Sequence, residues 1–115
     1  MAVAEVDYLN GGGGGSGSVE FTTSGKITGV SNLDGEYGGI YLTGQITTSS
    51  AIANGETIFT ISPAPSTEQS ITNALQLLNN NVYRNVKVKT NGDVTLDGEN
   101  MTSGYTWKVN IICQM

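Results

Sequence analysis

The hydrophobic positions of this chain fall into short alternating runs rather than long helical stripes. Val19-Glu20-Phe21-Thr22-Thr23 reads as a first strand, closed by a Ser24-Gly25 turn. Lys26 to Val30 follows, and an Asn/Asp/Gly loop from Ser31 to Gly39 comes next. Between Gly39 and Thr48, Ile40 and Leu42 share one face with Gly44, while Tyr41, Thr43 and Gln45 share the other. That is the period of two expected of a half-buried strand. Thr57 to Ile61 is a further run after an Asn54-Gly55 turn. Pro63 and Pro65 stop any ladder beyond it, because proline has no amide hydrogen to donate.

The C-terminal third has the clearest pattern. Val82, Val86 and Val88 are interleaved with Arg84, Lys87 and Lys89, and Asn91-Gly92 is the dipeptide of a type I′ hairpin. Val94-Thr95-Leu96 returns, and Asp97-Gly98 turns again. In the last strand, Gly104 to Gln114, an apolar stripe of Tyr105, Trp107, Val109, Ile111 and Cys113 opposes Thr106, Lys108 and Asn110. Ile112 breaks the polar face, which suggests cover on both faces near that end. Tyr105 and Trp107 are expected in the core, and Cys113 is expected to act as a small apolar core residue. Ser70 to Asn81 is ambiguous. Ile71, Ala74, Leu75 and Leu78 match the helical spacing, but the β context and the Asn79-Asn80-Asn81 turn favour a strand over Leu75 to Leu78. The pattern predicts an all-β domain: an antiparallel β-sandwich or jelly-roll-like fold of about eight short strands.

Composition sharpens this picture. Gly, Thr, Asn and Ser make up nearly half of the 115 residues, and only 13% are charged. A long-helix bundle and charged-type disorder are both excluded by that balance. The run Gly11 to Gly15, continued by Ser16-Gly17-Ser18, sets Met1 to Asn10 apart from the body. It divides the chain into residues 1–18, an N-terminal anchor and Gly-rich tether, and residues 19–115, the β domain. The glycines read either as a slack tether or as close packing where copies of the chain meet without room for Cβ atoms.

Charge and residue types then narrow the chemistry. A net charge of −5 gives no electrostatic footprint for nucleic acid or an anionic membrane. No signal peptide or membrane-spanning run is read, so synthesis in the cytoplasm is expected. The chain has no histidine and one cysteine, which removes histidine-based triads, histidine metal sites and an internal disulfide. Asp93, Asp97 and Glu99 gather near two turns, where carboxylates can run acid–base chemistry or, with Asn100, hold calcium. The plainer reading is that turns favour Asp and that these residues keep the surface soluble. No catalytic residue, cofactor or metal is therefore assigned, and the chain is not read as an enzyme.

Binding is better supported than catalysis. Sugars are held by aromatic faces together with fixed hydrogen-bonding groups, and Tyr8, Tyr37, Tyr41, Tyr83, Tyr105 and Trp107 supply the aromatic surface. Tyr37 stands in a Gly-rich loop with Asp34 and Glu36, the kind of segment that carries binding residues. These three are the candidate ligand-binding residues.

From Gly39 onward the chain resembles the head domains of bacteriophage fibre and receptor-binding proteins. The resemblance rests on Gly39-Ile40-Tyr41-Leu42-Thr43-Gly44, the Thr/Ser-rich segment after it, Asn54-Gly55-Glu56-Thr57-Ile58-Phe59, and the Pro63-Ala64-Pro65 corner. Thr90-Asn91-Gly92-Asp93-Val94-Thr95-Leu96 and the closing Gly104 to Ile111 strand complete it. It covers about residues 39–115, and its motifs are hairpin patterns without fixed chemistry. It implies a virion structural protein: a fibre or decoration subunit, usually a homotrimer, whose head binds a host-surface ligand such as a cell-wall saccharide. On that reading Val6, Tyr8 and Leu9 are the virion anchor, touching other virion proteins through the N-terminus. The short N-terminal segment departs from the long shoulder or stalk usual before such heads, and so fits a decoration subunit better. The resemblance also tips Leu75 to Leu78 towards strand. A decoration protein without a ligand, or a free carbohydrate-binding module, are the alternatives.

Overall fold

A computed structural model of the chain describes residues 19–36 and 41–112. Within them, eight antiparallel strands and no helix are formed. They are β1 (Glu20–Thr23), β2 (Ile27–Glu36), β3 (Tyr41–Thr48), β4 (Thr57–Ser62), β5 (Gln69–Leu77), β6 (Tyr83–Val88), β7 (Asp93–Asp97) and β8 (Thr106–Ile112). All belong to one sheet in the order β1-β4-β7-β6-β5-β8-β3-β2. The all-β expectation and its strand number hold; the layering is a rolled, nearly closed sheet rather than two facing sheets.

The closure follows from one short connection. β1 and β2 stand at opposite ends of the sheet order, yet only Ser24 to Lys26 joins them. A link that short forces the two edges together. The Ser24 amide donates to Ile58 O (3.2 Å), the Ile27 amide to Ser24 O (3.1 Å), and the Ser49 amide to Lys26 O (2.8 Å). The Lys26 ammonium donates to both Glu56 oxygens at 2.8 Å, and Glu56 also accepts the Ala53 amide at 2.7 Å.

Inside the roll, alternate residues meet. Leu42, Ile46, Ile58, Phe59, Leu75, Leu96, Trp107 and Ile111 are fully buried. Phe21 packs its ring edge on Phe59, with centroids 5.7 Å apart. Loops plug one end: Ile52 and Met101 exchange backbone hydrogen bonds of 2.9 and 2.8 Å, and both are fully buried. Large-to-small changes at such positions typically cost about 2–5 kcal/mol.

Several expectations are corrected here. Ser31 to Glu36 is strand, not loop: β2 continues to Glu36 across a register shift between Ser31 and Asp34. Residues 69–77 form strand β5, in agreement with the β reading. Their helical spacing is the imprint of a bulge. Ile71 pairs with Val86 and Leu75 with Arg84, so Thr72, Asn73 and Ala74 together face one residue, Asn85. Asn73 takes a positive φ of 56°, which lets both Ala74 and Leu75 be buried. Tyr105 is half exposed at 50%, because it precedes the first paired residue of β8. Ile112 is 65% exposed, so the outer face is uncovered there. The β6–β7 hairpin forms where expected, but its turn is not type I′. Gly92 takes φ 93° while Asn91 does not turn positive, and the Gly92 amide donates to Lys89 O at 2.9 Å. This is a type I turn with a glycine bulge. Cys113 lies outside the described residues.

Candidate functional site: an outer-face groove beside a strand bulge

Register places the outward side chains in rows. Gln45 (β3), Lys108 (β8), Gln76 (β5) and Tyr83 (β6) stand side by side across four strands. In the next row Thr43 faces Asn110, and beyond it Tyr41 faces Ile112. β5 pairs with β8 only from Leu75 to Leu77. Towards its N-terminus the bulge carries β5 away from the ladder, so among the described residues Asn110 to Ile112 have no partner on that side. The gap is a groove of about 280 Å³. That is near the lower end of small-ligand clefts, typically ~300–1,000 Å³.

Tyr41 and Tyr83 form its two aromatic walls, and Asn73, Gln76, Lys108 and Asn110 its polar surface. Thr43 adds a hydroxyl, and Gly44 brings bare backbone to the floor. Tyr41 is 51% and Tyr83 42% exposed, so each ring presents a face to solvent. The two strands that carry them are three strand spacings apart, roughly 14 Å along the sheet. The walls are braced from behind. The Asn73 amide donates to Asn85 Oδ1 at 2.8 Å, which pins the bulge to β6. The Gln76 amide nitrogen donates to Asn80 O at 2.9 Å. Arg84 points inward beside Tyr83: its Nη1 donates to the Tyr83 carbonyl (2.9 Å) and its Nε to Asn100 O (3.0 Å). Its guanidinium lies 5.3 Å from the centre of the buried Trp107 ring.

What this surface can do is bind. Aromatic faces pack against the C–H face of a sugar ring, while amides and a hydroxyl exchange hydrogen bonds with its hydroxyls. The residues are held by strands, so little ordering entropy is lost on binding.

The residues expected from sequence are distributed differently. Asp34 and Glu36 sit on β2 at register positions opposite Thr43 and Tyr41. Tyr37 lies outside the described residues, as do Val6, Tyr8 and Leu9. Asp93, Asp97 and Glu99 do not converge. Asp93 accepts from Thr60 (3.0 Å) and Asn91 (3.1 Å), while Asp97 ends the same strand and Glu99 lies 4.0 Å from Arg84. Among the described residues, no group of three or more acidic, His or Cys side chains is placed to hold a metal. No helix there is long and apolar enough to cross a membrane.

Tyr41 and Tyr83 were legible as surface aromatics. Asn73, Gln76, Lys108 and Asn110 were missed as site residues, because the bulge that gathers them disguises its strand as helical spacing. The polar face of β8 was the available signal. Neither a protein-family model nor a curated protein matches the chain.

Proposed function

We propose that this domain is a saccharide-binding head and that the groove between Tyr41 and Tyr83 is its binding site. The observation that carries this reading is the pairing of two solvent-facing phenol rings with an amide-rich floor in one strand-built groove. The resemblance to bacteriophage fibre heads supports placing it in a virion, as a small fibre or decoration subunit that touches a host-surface glycan. A trimer of such subunits would raise a weak single-site affinity by multivalency. Catalysis has no comparable support, since no acid–base pair meets among the groove's described lining residues.

The test is binding of the full chain to a panel of immobilised bacterial cell-wall glycans, with Tyr41→Ala and Tyr83→Ala beside it. Each variant is expected to lose at least about tenfold in affinity while keeping its thermal unfolding profile. No binding to any glycan, or full binding by both variants, refutes the groove as a saccharide site. Light scattering at two concentrations reads the assembly separately. A mass near three times 12.0 kDa supports the fibre form, and a monomer favours a free module or a subunit assembled only on its particle.

A further inference from the structure

Among the groove's described lining residues one side chain, Lys108, is charged and the others are neutral. This stands out in a chain with twice as many acidic as basic residues. Two of the other four basic residues have assigned partners, and the remaining two, Lys87 and Lys89, are not among the groove's described lining residues. Lys26 is held by Glu56 at 2.8 Å, and Arg84 is spent on Trp107, Asn100 and Glu99. The Lys108 ammonium has no hydrogen bond or ion pair with any side chain the structure describes. It stands mid-row, flanked by Gln45 and Gln76, where β8 lies between β3 and β5. A groove meant for a neutral sugar gains little from an ammonium, because amides and hydroxyls already match sugar hydroxyls. An acidic group gains more, since hydrogen bonds to ionised partners are stronger than neutral ones.

We infer that the groove's ligand is an acidic glycan and that Lys108 is the counter-ion for its carboxylate or phosphate. This rests on the saccharide reading above. The recognised chemistry is an anionic group on a sugar ring, and two sources can supply it: a uronate- or sialate-type carboxylate, or a sugar phosphate.

The experiment pairs each acidic glycan with its neutral counterpart. Oligogalacturonates are compared with their methyl esters, sialylated with desialylated oligosaccharides, and phosphorylated with dephosphorylated mannosides. All are titrated against the full chain at low and at physiological salt. The acidic member of at least one pair is expected to bind roughly five- to tenfold tighter, with the margin shrinking as salt rises. Lys108→Gln is expected to erase that margin by bringing the acidic member's affinity down to that of the neutral member; Lys108→Arg is expected to keep it. A margin confined to the carboxylate pairs, or to the phosphate pair, identifies the source. Equal binding of acidic and neutral members, or a margin that survives Lys108→Gln, overturns this inference and leaves the saccharide reading standing. No binding to any member, acidic or neutral, overturns both.

Discussion

Strand β6 has two neighbours, and they treat it differently. On one side, β7 pairs with it without interruption, from Asn85 opposite Asp97 to Val88 opposite Val94. On the other side, β5 pairs with it at Ile71 and again at Leu75, with three residues facing one in between. The regular side ends in a tight hairpin that leaves no room. The irregular side opens a groove framed by exposed tyrosines. The lesson is that this fold makes a groove by interrupting a ladder, not by adding a loop. A bulge re-aims side chains and ends pairing locally, and bulges are over-represented beside functional sites for that reason.

The contrast can be broken from either side. The largest effect is expected at the regular hairpin. Gly92 takes φ 93°, and a Cβ there would drive into the Ile61 carbonyl oxygen, which is backbone and cannot swing aside. Gly92→Ala is expected to cost about 2–4 kcal/mol, read as a lower urea midpoint at unchanged m-value. Glycan affinity per folded molecule should stay the same.

Asn85→Ala acts on the other side. It removes the acceptor of the Asn73 amide and so loosens the bulge. A loss of about 1 kcal/mol is expected, since a neutral hydrogen bond contributes roughly that much. Glycan affinity should fall with it. Weaker stability with unchanged affinity would show that the groove does not depend on the bulge.

Tyr83→Ala is the complement. Tyr83 is 42% exposed and outside the core, so stability should move by only about 0.5 kcal/mol while binding falls at least about tenfold. A thermal melt and a titration on the same sample separate the two readouts.

The smallest effect concerns the sheet's seam. Glu56 has its carboxyl held below the ordinary value of 4.5, first by the Ala53 amide and next by Lys26. A lowered folded pKa stabilises the protein above the unfolded pKa, and that contribution is lost as pH falls through the folded value. Stability should therefore decline more steeply below about pH 4.5 in the wild type than in Glu56→Gln, as read by urea midpoints across an acid series. Both sides of β6 should be affected alike, because the seam closes the whole roll.

The strands were largely legible from the sequence. Alternation in Leu42 to Ile46 and in Trp107 to Ile111 marked which residues turn inward, and Asn91-Gly92 marked the hairpin. The rolled shape was not legible, because it depends on β1 and β2 meeting across the ends of a sheet whose order no local pattern encodes. The groove was legible only as scattered parts. Tyr41 and Tyr83 read as surface aromatics, and Lys108 and Asn110 as ordinary polar-face residues. What unites them is the shift at Thr72 to Ala74, and a shift of register erases the alternation by which a strand is recognised. Tyr105 misled for a related reason: its position in the alternation was right, but the ladder begins one residue later.

The most direct test of the groove as the working surface is amide chemical-shift mapping of the labelled chain, titrated with the tightest-binding glycan of the panel. The expected shifts gather on Asn73 to Gln76, Tyr83 and Lys108 to Asn110, with the Lys89 to Asp93 hairpin silent. Shifts centred on that hairpin, or on the seam around Lys26 and Glu56, would contradict the assignment of the groove.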